Sequence, residues 1–280
     1  MNEPLFQRVL VANRGEIAVR VIRACRELGI ESVAVYSDAD AASGHVAAAD
    51  QAIRIGPAPA TESYLDIARV IAAAESSGAD AIHPGYGFLS ERAEFAVACA
   101  DAGLVFVGPE ASTLAGLGDK LAARRTAREA GVAILPGAFE PADIGGDDGA
   151  AQRVADEAAA IGWPLFVKAA AGGGGRGMRR VDSPADLPAA LVSASQEARA
   201  AFGDGAVYLE RFVQIGRHVE VQLLGDADGT IVALGERDCS TQRRNQKLVE
   251  EAPAPGLTRA QRVSLHARAV TIARAVGLRN

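Results

Sequence analysis

The chain has 280 residues, enough for one large domain or two small ones, and its 49% hydrophobic and 23% charged residues are those of an ordinary soluble globule. A formal net charge of −6 argues against nucleic acid as the main partner. No apolar run approaches the ~18 residues of a membrane span, so no membrane partner is expected.

The N-terminal MNEPLFQRVLVANRGE shows no charged-then-apolar leader pattern. The three cysteines, Cys25, Cys99 and Cys239, are odd in number and lack metal-ligand spacing. Free thiols in a reducing cytoplasm are therefore expected. Residues 8–12, RVLVA, read as a buried strand. Asn13-Arg14-Gly15 then turns into a helix with Ile17, Val21, Ala24 and Leu28 as apolar positions and Gly29 as terminator. Ser32–Tyr36 is a second strand and Ala52–Ile55 a third. Tyr64–Glu75 is a helix ending before Gly78, Asp80–His83 a fourth strand and Leu104–Val107 a fifth. Strand–helix alternation implies parallel pairing. With Gly15 alone where GxGxxG is needed, a dinucleotide site is not indicated.

The fourth strand runs into HPGYGFLSE, His83–Glu91, at the edge where open α/β sheets hold ligands. Tyr86 and His83 are candidate contacts there, and a strand-end histidine with a backbone partner is the plainer reading of His83. From Gly118 the pattern changes. GDKLAARRTAREAG begins a helix with Asp119 as cap and Lys120 in its first turn, a poor place for a cation against the helix dipole unless it serves an anion. Phe139–Ala150 reads as a boundary loop and Ala151–Ile161 as a helix.

Lys168–Met178, KAAAGGGGRGM, lies between the strands Pro164–Lys168 and Met178–Val181. Four consecutive glycines let the backbone approach a ligand and turn successive N–H groups toward one anion. This is a phosphate-gripping loop; a flexible linker is the plainer alternative, but such linkers carry Ser and lack flanking strands. It is not a Walker A loop, in which Lys follows the glycines at a helix start. Pro184–Ala200 is a helix. Ala206–Val213, Arg217–Leu224 and Thr230–Glu236 are strands, with a hairpin turn at Gly225–Gly229. The period of two places His218, Glu220 and Gln222 on one face, either a site or a solvated sheet face. In ERDCSTQRRNQKLVEEAPAP, Glu236–Pro255, the cations Arg243, Arg244 and Lys247 interleave with Gln242, Asn245 and Gln246. That is a donor surface suited to an oxyanion or phosphate, or else an exposed charged loop. Thr258–Gly277 closes the chain as a capped helix.

Taken together, VANRGEIAVRVIRACRELGI, HPGYGFLSE, GDK, KAAAGGGGRGM and ERDCSTQRRNQKLVEEAPAP resemble biotin carboxylase, an ATP-grasp enzyme of acyl-CoA and pyruvate carboxylases, in the family's order and spacing. The resemblance implies an α/β fold. A Rossmann-like parallel-sheet pre-ATP-grasp domain (1–117) would precede a C-terminally incomplete α+β ATP-grasp domain (118–280), with a glycine-loop lid at about 140–208. It implies ATP-dependent carboxylation of biotin by bicarbonate through carboxyphosphate, in which the enzyme chiefly manages charge. Lys120, Lys168, Gly174 and Gly175 would hold ATP phosphates, and Glu210, Arg211, Phe212 and Val213 would face the adenine. His218 and Gln242 would line the nucleotide site. Lys247 would hold bicarbonate, and Tyr86 and Gly87 would lie near the biotin ring. Arg20 and Arg23 match positions near the family's dimer contact. The cofactors implied are ATP, Mg2+ or Mn2+, and biotin as a carried substrate. The partners implied are a biotin carboxyl carrier protein or domain, a carboxyltransferase subunit and a second copy of the chain.

Ala171 stands where many members have a fifth glycine, Asn245 where many bacterial members have histidine, and Arg211 where lysine is common. The family's EMNTRLQVEH-like segment, with its metal-binding glutamates, its arginine and its base, is not among these residues. The metal ligands are accordingly expected beyond residue 280, and the isolated chain is expected to lack the catalytic segment. The biotinyl-lysine motif AMKM is likewise expected on another segment. The alternatives are a catalytically silent ATP-binding or assembly module and a different ATP-grasp ligase; Glu236–Pro255 speaks against the latter.

Overall fold

The computed structural model describes residues 5–144, 148–171, 178–243 and 246–279. Residues up to 115 form one compact unit and residues 116–278 a second.

In the first unit, strands and helices alternate: β1 (Arg8–Val11), α1 (Gly15–Leu28), β2 (Glu31–Ser37), α2 (Gly44–Ala48), β3 (Gln51–Gly56), α3 (Ile67–Ser77), β4 (Ala81–His83), α4 (Ala93–Asp101) and β5 (Val105–Phe106). α5 (Ala111–Gly118) spans the unit boundary in sequence. The five strands pair in parallel in the order β3-β2-β1-β4-β5. Both faces of the sheet are buried, so the strands read as continuous apolar runs. Leu10, Val33 and Val35 pack with Phe95 and Tyr64 on one face, while Val9, Val11 and Ala34 pack against α1 residues on the other.

The apolar stripe of α1 differs from the sequence expectation. The buried positions are Ala18, Val21, Ile22 and Cys25; Ala24 and Leu28 point outward. The helix is rotated so that Ala18, Val21, Ile22 and Cys25 pack with Val9, Val11 and Ala34 of the sheet. α3 starts three residues later than expected because Asp66 caps it, accepting from the Arg69 N–H, and Tyr64 is left in the core ahead of the helix.

The second unit contains α6 (Lys120–Glu129), α7 (Asp148–Ile161), β6 (Leu165–Ala169), β7 (Arg179–Val181), α8 (Leu187–Phe202), β8 (Val207–Arg211), β9 (Val219–Gly225), β10 (Ile231–Arg243), β11 (Gln246–Glu251) and α9 (Arg259–Ala275). Two antiparallel sheets run β7-β6-β8 and β11-β10-β9. The first sheet rests on α7 and α8. Fully buried Ala158, Ala194 and Ala198 let the helices approach Leu165, Val167 and Leu209 closely. Segment 137–142 lies along the free edge of β8: Ala138 N–H donates to the Leu209 carbonyl at 2.8 Å, and Arg211 N–H donates to that of Pro136 at 2.8 Å.

The run Glu236–Pro255 is a hairpin rather than an exposed loop. β10 continues to Arg243 and β11 returns along it, with register shifts between Asp238 and Gln242. Charge density hid this strand in the sequence; two of its cations, Arg237 and Lys247, meet acidic residues, as described below. α9 starts at a capping box of Thr258 and Gln261 and packs on β9 and β10, where buried Glu236 meets Arg262 at 2.5 Å and His266 at 2.7 Å. No helix among the described residues is long and apolar enough to cross a membrane.

Candidate functional site

Two polar clusters form in the second unit. The first lies on the face of β6 and β8 that carries Phe166, Lys168, Tyr208 and Glu210. Phe166 pairs with Glu210 and Lys168 with Tyr208, so Lys168 and Glu210 are diagonal neighbours, within reach of long side chains. The Lys168 ammonium donates to Glu210 Oε1. Lys120, at the start of α6, reaches the carbonyl of Ala169, one residue on, at 3.1 Å. The Asp119 side chain caps that helix, as expected, by accepting from the N–H groups of Leu121 and Ala122. Burial lowers the Lys120 pKa, and the charge of Lys168 lowers it further. Two ammonium groups held near each other, of which Lys168 alone bonds a carboxylate among the described residues, suit a polyanion chemically.

Glu210 is itself buried and is shared. Its Oε2 accepts from Arg124 at 2.7 Å. Arg124 also donates to the carbonyls of Leu135 at 2.7 Å and Ala138 at 3.2 Å, with its guanidinium near the rings of Phe139 and Tyr208. The sequence reading missed Arg124. The available signal was its place on the buried stripe Leu121–Arg124–Ala127 of α6, where a charge is out of pattern.

Arg211 and Phe212 spend their side chains locally. Arg211 donates to the Trp163 carbonyl at 3.2 Å, and Phe212 stacks edge-on against Phe166 beneath Arg180. Val213, past the strand end, is 45% exposed. Gly174 and Gly175 lie outside the described residues, as do Arg244 and Asn245.

The second cluster crosses the β11-β10-β9 sheet. Arg237 on β10 contacts Glu220 at 2.5 Å and Gln222 at 3.1 Å on β9, so the expected shared face of those two residues is present. Lys247 on β11 reaches Glu220 at 2.6 Å, and both cations approach Glu250. Partial burial pushes the Glu220 carboxyl up, but the hydrogen bonds from Lys247 and Arg237 outweigh it and hold the group below its usual range. Its bond to Lys247 raises the lysine pKa. Gln242 Nε2 lies 2.8 Å from His218 Nδ1, which brings these two predicted residues together.

Glu220, Cys239 and Glu250 also lie close enough to one another for a metal ion. They do not fit one. Both carboxylates are engaged by Arg237 and Lys247, and burial, its largest effect, raises the Cys239 thiol away from the thiolate a metal needs.

In the first unit, Tyr86 and Gly87 line a shallow hollow of about 410 Å3 with Asn13, Glu16 and Phe88. Tyr86 is 60% exposed, and its hydroxyl donates to Glu16. Buried Asn13 fixes this loop by donating to the carbonyls of Pro84 and Tyr86, each at 2.8 Å. Gly85, at φ 65°, passes so near Asn13 that a Cβ would come within 2.8 Å of Nδ2. His83 accepts from the Gly85 N–H at 3.0 Å and its pKa is lowered by burial, in line with its plainer reading. Arg20 and Arg23 line a separate apolar cavity of about 490 Å3 beside α1.

A parallel five-stranded sheet followed by two antiparallel sheets, with a strand lysine and a helix lysine meeting at one end of β6, defines an α/β protein of the ATP-grasp class. Residues 5–114 match the family model described as biotin carboxylase, N-terminal domain, and residues 119–280 that described as carbamoyl-phosphate synthase L chain, ATP binding domain. The chain is 50% identical over 275 residues to a biotin carboxylase of Pseudomonas aeruginosa, covering 98% of this chain and 60% of that protein. It is 49% identical over 279 residues to the mitochondrial methylcrotonoyl-CoA carboxylase subunit alpha of Glycine max, covering 100% of this chain and 37% of the relative. A Campylobacter jejuni biotin carboxylase, solved as a β,γ-ATP complex, superposes with a TM-score of 0.92 at 46% identity, over 98% of this chain and 60% of its own. The biotin carboxylase domain dimer of Hydrogenobacter thermophilus 2-oxoglutarate carboxylase, solved with MgADP, ADP and bicarbonate, gives 0.92 at 44%, over 99% and 60%. The chain belongs to the biotin carboxylase family and corresponds to the N-terminal part of its relatives.

Proposed function

We propose that this chain supplies the nucleotide and bicarbonate half of a biotin carboxylase, which carboxylates biotin with bicarbonate and MgATP through carboxyphosphate. The observation that carries the reading is the convergence of Lys120 and Lys168 on one end of β6, with a single shared carboxylate between Lys168 and Arg124. In this reading the two ammonium groups hold the phosphates of MgATP, assisted by the loop that includes Gly174 and Gly175. The run Glu210, Arg211, Phe212 and Val213 borders the adenine, with His218 and Gln242 beside the nucleotide.

Lys247 holds bicarbonate. Its charge is kept by Glu220, and Arg237 draws on the same carboxylate, so an incoming anion competes for an ammonium that is only partly neutralised. Tyr86 and Gly87 receive the biotin ring in the hollow fixed by Asn13. Residues 1–117 act as the pre-ATP-grasp domain and 118–280 as ATP-grasp domain, with a lid at about 140–208. The carboxyl group passes to biotin on a carrier protein or domain and then to a carboxyltransferase subunit. A homodimer is the proposed assembly. A cytoplasmic setting is supported by three buried free cysteines. Glu220 and Glu250, the carboxylates that come near a common metal position among the described residues, are already engaged by Arg237 and Lys247, so the metal ligands are placed on neither of them.

The test is ADP release from MgATP with bicarbonate, with and without free biotin, alongside nucleotide binding by calorimetry. Nucleotide binding supports the reading, and biotin-stimulated ADP release extends it to the complete reaction. A chain that binds no MgADP or MgATP contradicts it.

A further inference from the structure

A buried arginine is costly unless every donor is used and its charge is met. Each of the three Arg124 guanidinium nitrogens donates, to Glu210, Leu135 and Ala138, and Glu210 meets the charge. Its surroundings are built around it. Gly137 passes so close that a Cβ there would stand 2.7 Å from an Arg124 nitrogen. Phe139 and Tyr208 offer ring faces at 5.5 and 6.0 Å. Structural anchoring alone accounts for the two carbonyl contacts but not for the third. Glu210 reaches away from the anchor to Lys168, whose side chain is only 22% exposed, so its position depends on the carboxylate.

We propose that Arg124 is a positioning residue that acts on the phosphate-holding Lys168 through Glu210. Arg124 fixes the Glu210 carboxylate in direction, with one oxygen for itself and one for Lys168. Because the carboxylate is shared, Lys168 is oriented but not fully neutralised and retains charge for an anionic ligand. Lys120, close by, lacks a carboxylate of its own and gains from a Lys168 that is held still. The inference rests on the proposed phosphate role of Lys168.

The experiment is a double-mutant cycle read by calorimetric titration of MgADP into the 280-residue chain. The variants are Arg124→Met, Arg124→Lys, Lys168→Met and the two Arg124 changes combined with Lys168→Met, each checked for native circular dichroism. Loss of Arg124 is expected to weaken MgADP binding roughly tenfold, as for a hydrogen bond to a charged group. In the Lys168→Met background the same change is expected to cost less than about twofold, because the path through Lys168 is already cut. Arg124→Lys keeps the buried charge and is the folding-safe arm, with an intermediate loss that also disappears in the Lys168→Met background. Equal losses with and without Lys168 would show Arg124 to be an anchor only and would overturn the inference. Unchanged binding in Lys168→Met alone would instead remove the phosphate reading, and the inference with it.

Discussion

Lys247 on β11 and Glu220 on β9 meet at 2.6 Å across the strand that separates them. The pair is partly exposed, with side chains 35% and 24% accessible, so its contribution to stability is small, at most about 1 kcal/mol. A cation there therefore adds little to the fold, which accords with the bicarbonate role proposed for Lys247. Lys247→Met is expected to leave the melting temperature within a few degrees of wild type. In a chain extended to the length of its relatives, the same change is expected to abolish bicarbonate-dependent ADP release. Unaltered bicarbonate dependence would rule out the role assigned to Lys247.

Lys120 gives a pH signature. Its pKa in the folded chain lies below the ordinary 10.5 because burial, first, and Lys168, second, disfavour the charged form. In the window between the folded value and 10.5 the unfolded chain binds more protons, so the ligand-free protein gains stability from this group as pH rises. Phosphate affinity moves the opposite way, since deprotonation removes the charge that holds the ligand. MgADP affinity measured from pH 7 upward should begin to fall below the normal lysine range. Lys120→Arg should abolish that part of the decline. A flat profile in wild type up to the ordinary lysine pKa would contradict the assignment.

Gly137 is constrained by space, because a Cβ would also come within 2.8 Å of the Leu209 carbonyl oxygen. Gly137→Ala should destabilise the chain by about 1–3 kcal/mol. Chemical denaturation followed by fluorescence of Trp163 would measure it; Trp163 packs against the core of this unit.

Glu236 is buried between Arg262 and His266, linking α9 to β10. Glu236→Gln leaves the half-buried arginine without its counter-charge and should cost about 1–3 kcal/mol. Thermal melts of the variant would show the loss, and a cost below 1 kcal/mol would mean that α9 is held by its apolar face alone.

Much of this was legible in the sequence. Val9, Leu10 and Val11 announced a buried parallel strand, Asp119 and Thr258 announced helix starts, and the motif order announced the family. The β10–β11 hairpin was not legible. Arg237, Arg243 and Lys247 make the run look solvated, and only the partner strand shows that Glu220 compensates two of these cations. Arg124 was hidden among three arginines of one helix, because burial of a charge depends on a partner 86 residues away. The stripe of α1 was misjudged because Leu28 and Ala24 satisfy helical periodicity as well as Ala18 and Cys25 do, and the sheet, not the helix, decides between them.

The most direct test of the central claim is calorimetric titration of MgADP into wild type and into the Lys120→Met/Lys168→Met double variant. The account predicts measurable binding by wild type and a loss of roughly 100-fold or more in the variant, as expected from removing two charge-assisted contacts. Equal affinity in the two proteins would contradict it.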